Sequence, residues 1–192
     1  MILDLYITML PLILGGIANM VFVKTSIYKR YKKPLDCNKN WKDGKRIFGD
    51  NKTLIGFISM IVFCMVFQVI WGCIGELCQL NNRNDLYLVY PNTIGLNLIS
   101  GFLFGFAYML FELPNSFIKR RLDIIPGKTD KGIKGIVFFV IDQIDSLIGV
   151  FLVLMVLSGI SFERYLLYIL VGGLTHISVN LVLWFMGIRR NL

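Results

Sequence analysis

The sequence predicts an all-α integral membrane protein, a bundle of about five transmembrane helices, and three observations lead there. Hydrophobic residues make up 56% of the 192 positions, only 17% are charged and the mean hydropathy is +0.67, whereas a soluble domain carries about 25% charged residues to coat its surface. Five continuous apolar stretches are long enough to cross a hydrocarbon core, for which about 20 helical residues suffice. Lys and Arg are concentrated in alternate connections. The composition excludes a soluble enzyme, a secreted disulfide scaffold and a disordered tail. The basic excess, 20 Lys+Arg against 12 Asp+Glu, has a membrane explanation and does not call for nucleic acid as a partner.

The predicted spans are about 2–23, 54–78, 94–113, 136–157 and 165–186, within one membrane catalytic domain covering 1–192. The first run is not a secretory signal, because its first charge is Asp4 and its Lys/Arg cluster follows the apolar stretch. Without period-two alternation, none of the runs reads as a barrel strand. Gly15, Gly16, Gly101, Gly105, Gly172 and Gly173 lie inside spans, where small residues let helices approach closely, and Pro11 interrupts the first. Cys37, Cys64, Cys73 and Cys78 form no C-x-x-C pair and suggest no redox role.

Orientation follows from the loops, since cytoplasmic connections retain Lys and Arg. Lys24, Lys29, Arg30, Lys32, Lys33, Lys39, Lys42, Lys45, Arg46 and Lys52 follow the first span; Lys119, Arg120, Arg121, Lys128, Lys131 and Lys134 follow the third. With Arg189 and Arg190, these place 18 of the 20 on one side, leaving Arg83 and Arg164 opposite. The expectation is an external N-terminus, a cytoplasmic C-terminus, two long basic cytoplasmic loops and residence in the plasma membrane.

The first basic loop, PLDCNKNWKDGKRIFGDNKTLIGF, spaces Gly44, Gly49 and Gly56 among Lys45, Arg46, Lys52 and Thr53. Glycines let a backbone approach a phosphate, while Lys and Arg supply charge-assisted hydrogen bonds, so the loop suits a polyphosphate. It is not a Walker A loop, because G-x-x-x-x-G-K-[ST] is absent. Attraction to anionic lipid head groups is the competing explanation. In the second loop, ELPNSFIKRRLDIIPGKTDKG, Ser116, Lys119 and Arg120 recur at i, i+3 and i+4, bringing a hydroxyl and two cations to one helical face at head-group level. That face suits a lipid phosphate or, again, electrostatic anchoring.

Asp142 and Asp145, in VFFVIDQIDSLIG, lie inside the fourth span, where each carboxylate costs about 2.5–3.5 kcal/mol on insertion scales and needs a partner. At i, i+3 they either share a divalent cation, whose hard oxygen ligands and phosphate neighbours favour Mg²⁺, or pair with Lys/Arg of the preceding loop. Glu112 closes the third span at the same level and is a further metal-facing candidate. Glu76 belongs to the opposite end. His176 and Asn180 form a polar stripe suited to interhelical hydrogen bonds, since one histidine makes no zinc site.

Taken together, these blocks resemble the CDP-archaeol synthase family, small relatives of phosphatidate cytidylyltransferase (CDP-diacylglycerol synthase), over nearly the whole chain. PLD followed by GKRIFGDNKTLIG looks like the family's Gly- and Lys-rich loop. SFIKRR, Pro126-Gly127 and DQIDS are similar to the signature shared with the larger enzyme. Archaeal members typically show Gly-Asp and then Lys-Ser where this chain has Phe111-Glu112 and Asn115-Ser116. The resemblance implies Mg²⁺-dependent cytidylyl transfer from CTP to a membrane lipid phosphate, archaetidic-acid-like or phosphatidate-like, giving a CDP-lipid and pyrophosphate. It implies Asp142 and Asp145 as metal ligands, Lys119, Arg120 and Arg121 as phosphate contacts, and Lys45, Arg46 and Lys52 as part of the nucleotide-side loop. A homodimer is left open. The alternatives are a CDP-alcohol phosphotransferase, whose D-G-x-x-A-R pattern fails where Asp43-Gly44 continues as Lys45-Arg46, and a small transporter or lipid-binding protein with the Asp pair as an ion relay.

Overall fold

A computed structural model describes residues 2–126 and 132–187. Gly127 of the Pro-Gly pair and Lys128, Lys131, Arg189 and Arg190 of the charge count lie outside the described residues. Six α-helices are present among those described: α1 (Ile2–Phe22), α2 (Ser26–Tyr31), α3 (Leu54–Leu77), α4 (Ile94–Arg121), α5 (Gly132–Ser158) and α6 (Phe162–Phe185). All but the six-residue α2 are long and apolar enough to cross a membrane. α2 was not expected. Thr25 starts it, its hydroxyl accepting from Tyr28 N at 3.3 Å.

The same device begins three spans. Thr53, Thr93 and Ser161 accept hydrogen bonds from the N–H groups of Gly56, Leu96 and Arg164, each at 3.2 Å. Such caps satisfy an otherwise orphaned donor and are worth about 1 kcal/mol each. For Thr53, expected at the substrate, the hydroxyl is already committed: it also bonds the Tyr28 hydroxyl at 2.9 Å and the residue is 1% exposed.

α4 packs between α3 and α5, with α1 against α3 and α6 against α5. Gly101 and Gly105 bring α4 against the backbone of α3: a Cβ at either position would lie 2.6 Å from Met65 Cα or Ile61 Cα. Backbones this close gain dispersion contacts that lipid chains would otherwise provide, and Ala at either glycine forces the helices apart. Leu5, Met9, Met60, Cys64, Leu147, Phe151 and Tyr168 form the core where these helices meet.

α4 continues eight residues beyond the predicted span end, through Pro114 to Arg121. α5 starts four residues before its predicted span. Together they raise a polar, two-helix wall at the end of the bundle that carries the basic loops. The loop 32–53 is closed at its base by Leu35 N to Lys52 O (2.8 Å) and Leu54 N to Lys33 O (3.0 Å), and meets that wall through Lys45 Nζ to Arg121 O (3.0 Å). At the opposite end, Arg83 pairs with Asp4 at 2.8 Å and Arg164 grips the buried Asp85 through Nε (2.7 Å) and Nη2 (2.8 Å). Tyr168 donates to Asp85 at 2.6 Å, and Thr8 accepts from Asp85 N.

Candidate active site

The face at i, i+3 and i+4 on α4 meets the acidic pair on α5. Asn115 Nδ2 donates to Asp142 Oδ1 at 2.7 Å and to Asp145 Oδ2 at 2.6 Å, so one amide gathers both carboxylates. Lys119 Nζ pairs with Asp142 through both oxygens, and Lys52 Nζ pairs with Glu112. Three carboxylates from two helices, the Lys119 ammonium of α4 and the Lys52 ammonium of the loop thus share one polar patch at the bundle's end. Asp145 Oδ1 also accepts from Ser146 N at 2.7 Å. For Lys52, burial disfavours the charged form, but Glu112, with Asp145 and Asp142 behind it, outweighs this and holds the ammonium above its ordinary value.

The remaining predicted residues divide into those already engaged and those left open. Lys45 Nζ donates to Asp123 Oδ2 (2.7 Å) and Arg121 O (3.0 Å), stapling the loop to the C-terminal end of α4. There it meets the carbonyls that a helix end leaves without partners. Arg46 is bidentate to Asp36, at 3.1 and 2.8 Å, and 3.1 Å from Asp50. Arg121 lies 2.7 Å from Asp43, donates to Arg46 O, and sits 4.3 Å over the ring of Phe117, which Trp41 meets edge-on. Ser116 is buried beside Asn115.

Arg120 differs from these in having neither carboxylate nor carbonyl against it, whereas Arg121, whose Nε and Nη1 also lack a hydrogen-bond partner, has both Asp43 and Arg46 O. Arg120 Nε and Nη1 are shielded from solvent and have no hydrogen-bond partner among the described residues. Its stem lies near Gly49, where φ is +96° and an added Cβ would stand 2.9 Å from Pro126 Cγ and 3.7 Å from Arg120 Cδ. A buried guanidinium with unanswered N–H groups is costly unless an anion completes it.

The donor set around the Asp pair bears on whether Mg²⁺ can be held there. No three His, Cys, Asp or Glu side chains close on one point among the described residues, and Glu112 is turned to Lys52. Mg²⁺, however, commonly takes one or two carboxylates and completes its shell with water and substrate phosphate. Two carboxylates already converge, and Asn115 Oδ1 is buried without a partner. The residues fit a cation completed by substrate.

Sequence reasoning passed over several polar residues. Asp36 was seen only as part of PLD. Asp85 gave no signal beyond being an acid in a short polar connection. The chain of Gln68, Tyr87, Asn97, Asn92 and Asn81 is spread over 30 positions and meets only in space, through bonds of 2.7–3.4 Å. The polar stripe on α6 does bond between helices as expected: His176 Nδ1 contacts Gln143 O at 3.2 Å and Asn180 Nδ2 donates to Gln143 Oε1 at 2.9 Å.

Residues 1–191 match the model of the CarS-like CDP-archaeol synthase family. The CDP-archaeol synthase of Pyrococcus furiosus is 35% identical over 94 residues, 49% of this chain and 48% of that protein. Those of Methanospirillum hungatei and Methanosarcina mazei are 24% and 29% identical, each covering 82% of this chain and, respectively, 87% and 89% of their own length. A solved structure, described as an intramembrane enzyme for archaeal membrane lipids biosynthesis, superposes with a TM-score of 0.65 at 20% identity, covering 94% of this chain and 95% of the other, a likeness of fold. With the family model matched over residues 1–191, the chain belongs to the CarS-like CDP-archaeol synthase family.

Proposed function

We propose that the patch formed by Asp142, Asp145, Asn115, Lys119, Arg120, Lys52 and Glu112 is where the chain performs its family's reaction. The protein is a multi-pass membrane enzyme of lipid biosynthesis, a CTP-dependent cytidylyltransferase acting on a lipid phosphate. One phosphomonoester oxygen of the lipid attacks the α-phosphorus of CTP, the bond from that phosphorus to the bridging oxygen breaks, and pyrophosphate leaves. The nucleophile is already anionic, so no Ser or His is required; in-line positioning and neutralisation of charge are.

The observation that carries this reading is Arg120, whose shielded Nε and Nη1 have no partner among the described residues, on the helix that presents Asn115 and Lys119 to the acidic pair. It is a cation arranged for an anion that the chain itself does not supply, and a phosphate oxygen matches it. Lys119, now on Asp142, exchanges that carboxylate for phosphate when substrate arrives. Lys52, held charged by Glu112, faces the same patch from the loop side. Asp142, Asp145 and Asn115 Oδ1 would hold Mg²⁺. When bound, Mg²⁺ would neutralise charge at the transferring phosphoryl group and orient the leaving pyrophosphate.

The basic loops face the cytoplasm in this proposal, where CTP is available, and the lipid phosphate comes from the inner leaflet. An archaetidic-acid-type lipid is the first substrate to try, given the archaeal relatives, with phosphatidate as the competitor. Purified protein, CTP, Mg²⁺ and a panel of lipid phosphates should release pyrophosphate and form a CDP-lipid; the absence of both across the panel refutes the proposal. Cysteine labelling at Asn40 and Asn84 from opposite membrane faces tests the orientation.

The Lys119–Asp142 pair favours a second reading, in which the acids serve structure alone. Asn at Asp142 would then leave Lys119 without its carboxylate and the protein would lose stability before activity.

A further inference from the structure

We infer that Asp36 is a positioning residue of the transfer reaction, the hub that holds the loop 34–53 as a rigid wall against Arg120; this rests on the function proposed above. Its side chain is fully shielded, and its two oxygens collect five hydrogen bonds. Oδ1 accepts from Asn38 N (3.1 Å) and Arg46 Nη2 (2.8 Å). Oδ2 accepts from Arg46 Nε (3.1 Å), Phe48 N (3.1 Å) and Gly49 N (3.0 Å). Burial alone would push this carboxyl up, but the guanidinium and three backbone N–H groups hold it well below the usual carboxylate range. Arg46 is correspondingly pushed up by the bond to Asp36.

What these bonds hold bears on the patch. Gly49, fixed through its N–H, has a left-handed turn that leaves no room for a Cβ against Pro126 and places it next to the Arg120 stem. Three residues later Lys52 reaches Glu112, and Lys52 N closes the turn by donating to Gly49 O at 3.3 Å. Arg46 presents its own carbonyl to Arg121, the neighbour of Arg120. One buried carboxylate therefore holds Gly49, which borders both Arg120 and Lys52, while touching neither cation.

Arg46 takes a different role by the same geometry. With its guanidinium on Asp36 and Asp50, it braces the loop.

The loop side of the patch serves one substrate more than the other, since Lys119 and Ser116 belong to α4. Displacing the loop should therefore fall on CTP. The test is steady-state kinetics of Asp36→Asn and Asp36→Glu, full chain in detergent, with CTP varied against the lipid phosphate that wild-type protein turns over, and the reverse. The expected result is a KM for CTP raised about tenfold or more, a KM for the lipid phosphate within about twofold of wild type, and a smaller fall in kcat. A purely structural residue lowers the active fraction and leaves both KM values unchanged, which overturns the inference.

In an Arg120→Ala background the CTP defect of Asp36→Asn should shrink, because both act at one place; full additivity also overturns the inference. If neither variant elutes as a monodisperse species, Asp36 is a folding residue and the assignment falls. Wild-type protein that turns over no lipid phosphate refutes the function proposed above, whereas active wild type with unchanged Asp36 variants refutes only this inference.

Discussion

The two ends of the bundle contain similar polar residues and use them in opposite ways. At the end bearing Asp85, the charged groups drawn into the bundle are answered from within it: Arg164 and Tyr168 on Asp85, Arg83 on Asp4, the Asn81 amide on Glu76. The amides of Asn81, Asn92 and Asn97 continue in a chain to Tyr87, and among the described residues Asn84 Nδ2 is the only buried side-chain polar atom of this end without a partner. At the basic end the buried groups left unanswered include the Nε and Nη1 of Arg120 and the Oδ1 of Asn115, beside carboxylates drawn together on a single amide. A saturated network closes a bundle and holds a loop. A network lacking an anion and one oxygen ligand's partner is a site prepared for a molecule that brings them.

The largest effect should come from the acidic pair. Asp145→Asn keeps volume and removes one charge, and pyrophosphate release should fall by about 100-fold or more while the protein still elutes as a folded species. Elevated Mg²⁺ should recover part of the loss. Wild-type-like release would remove Asp145 from the site and erase the contrast between the ends.

Asp85→Asn should do the reverse, leaving Arg164 without its carboxylate and lowering stability by about 3 kcal/mol, read as a fall in thermal midpoint in detergent. The kcat/KM of the surviving folded fraction should match wild type. A catalytic defect without destabilisation would mean that this end also takes part in turnover.

Arg120→Ala should reduce kcat/KM about tenfold to 100-fold, with a thermal midpoint equal to or above wild type, because the removed guanidinium has no internal partner for two of its N–H groups. A clear loss of stability would show a structural role. Arg83→Ala removes an ion pair whose two side chains are 42% and 21% exposed. Its cost should be about 0.2–1 kcal/mol at most, with no change in turnover.

The loop that borders the site was only partly legible. Gly44, Gly49, Lys45, Arg46 and Lys52 marked it as phosphate-binding, yet Lys45, Arg46 and Arg121 hold the loop to itself and to α4. Residue type reveals that a cation needs an anion. It does not reveal whether that anion is a neighbouring carboxylate or a substrate. The span ends show a related limit. Hydropathy falls after Leu113, but the backbone of α4 stays helical to Arg121, because hydropathy reports solvent preference and not chain conformation.

The sequence by itself determined the number of spans, the helical class, the loops that carry charge and the pairing of Asp142 with Asp145 on one face. Each follows from local quantities, apolar run length, charge content and a 3.6-residue period, that need no knowledge of neighbours. Only the tertiary structure decided that Asn115 sits between the two acids, that Asp36 organises the loop, and that Arg120, unlike Arg46 and Arg121, keeps its guanidinium free of any carboxylate or carbonyl. Those facts depend on which side chains come within 3 Å across elements distant in the chain. Close packing of α4, α5 and the loop selects one such arrangement from many that the same composition allows.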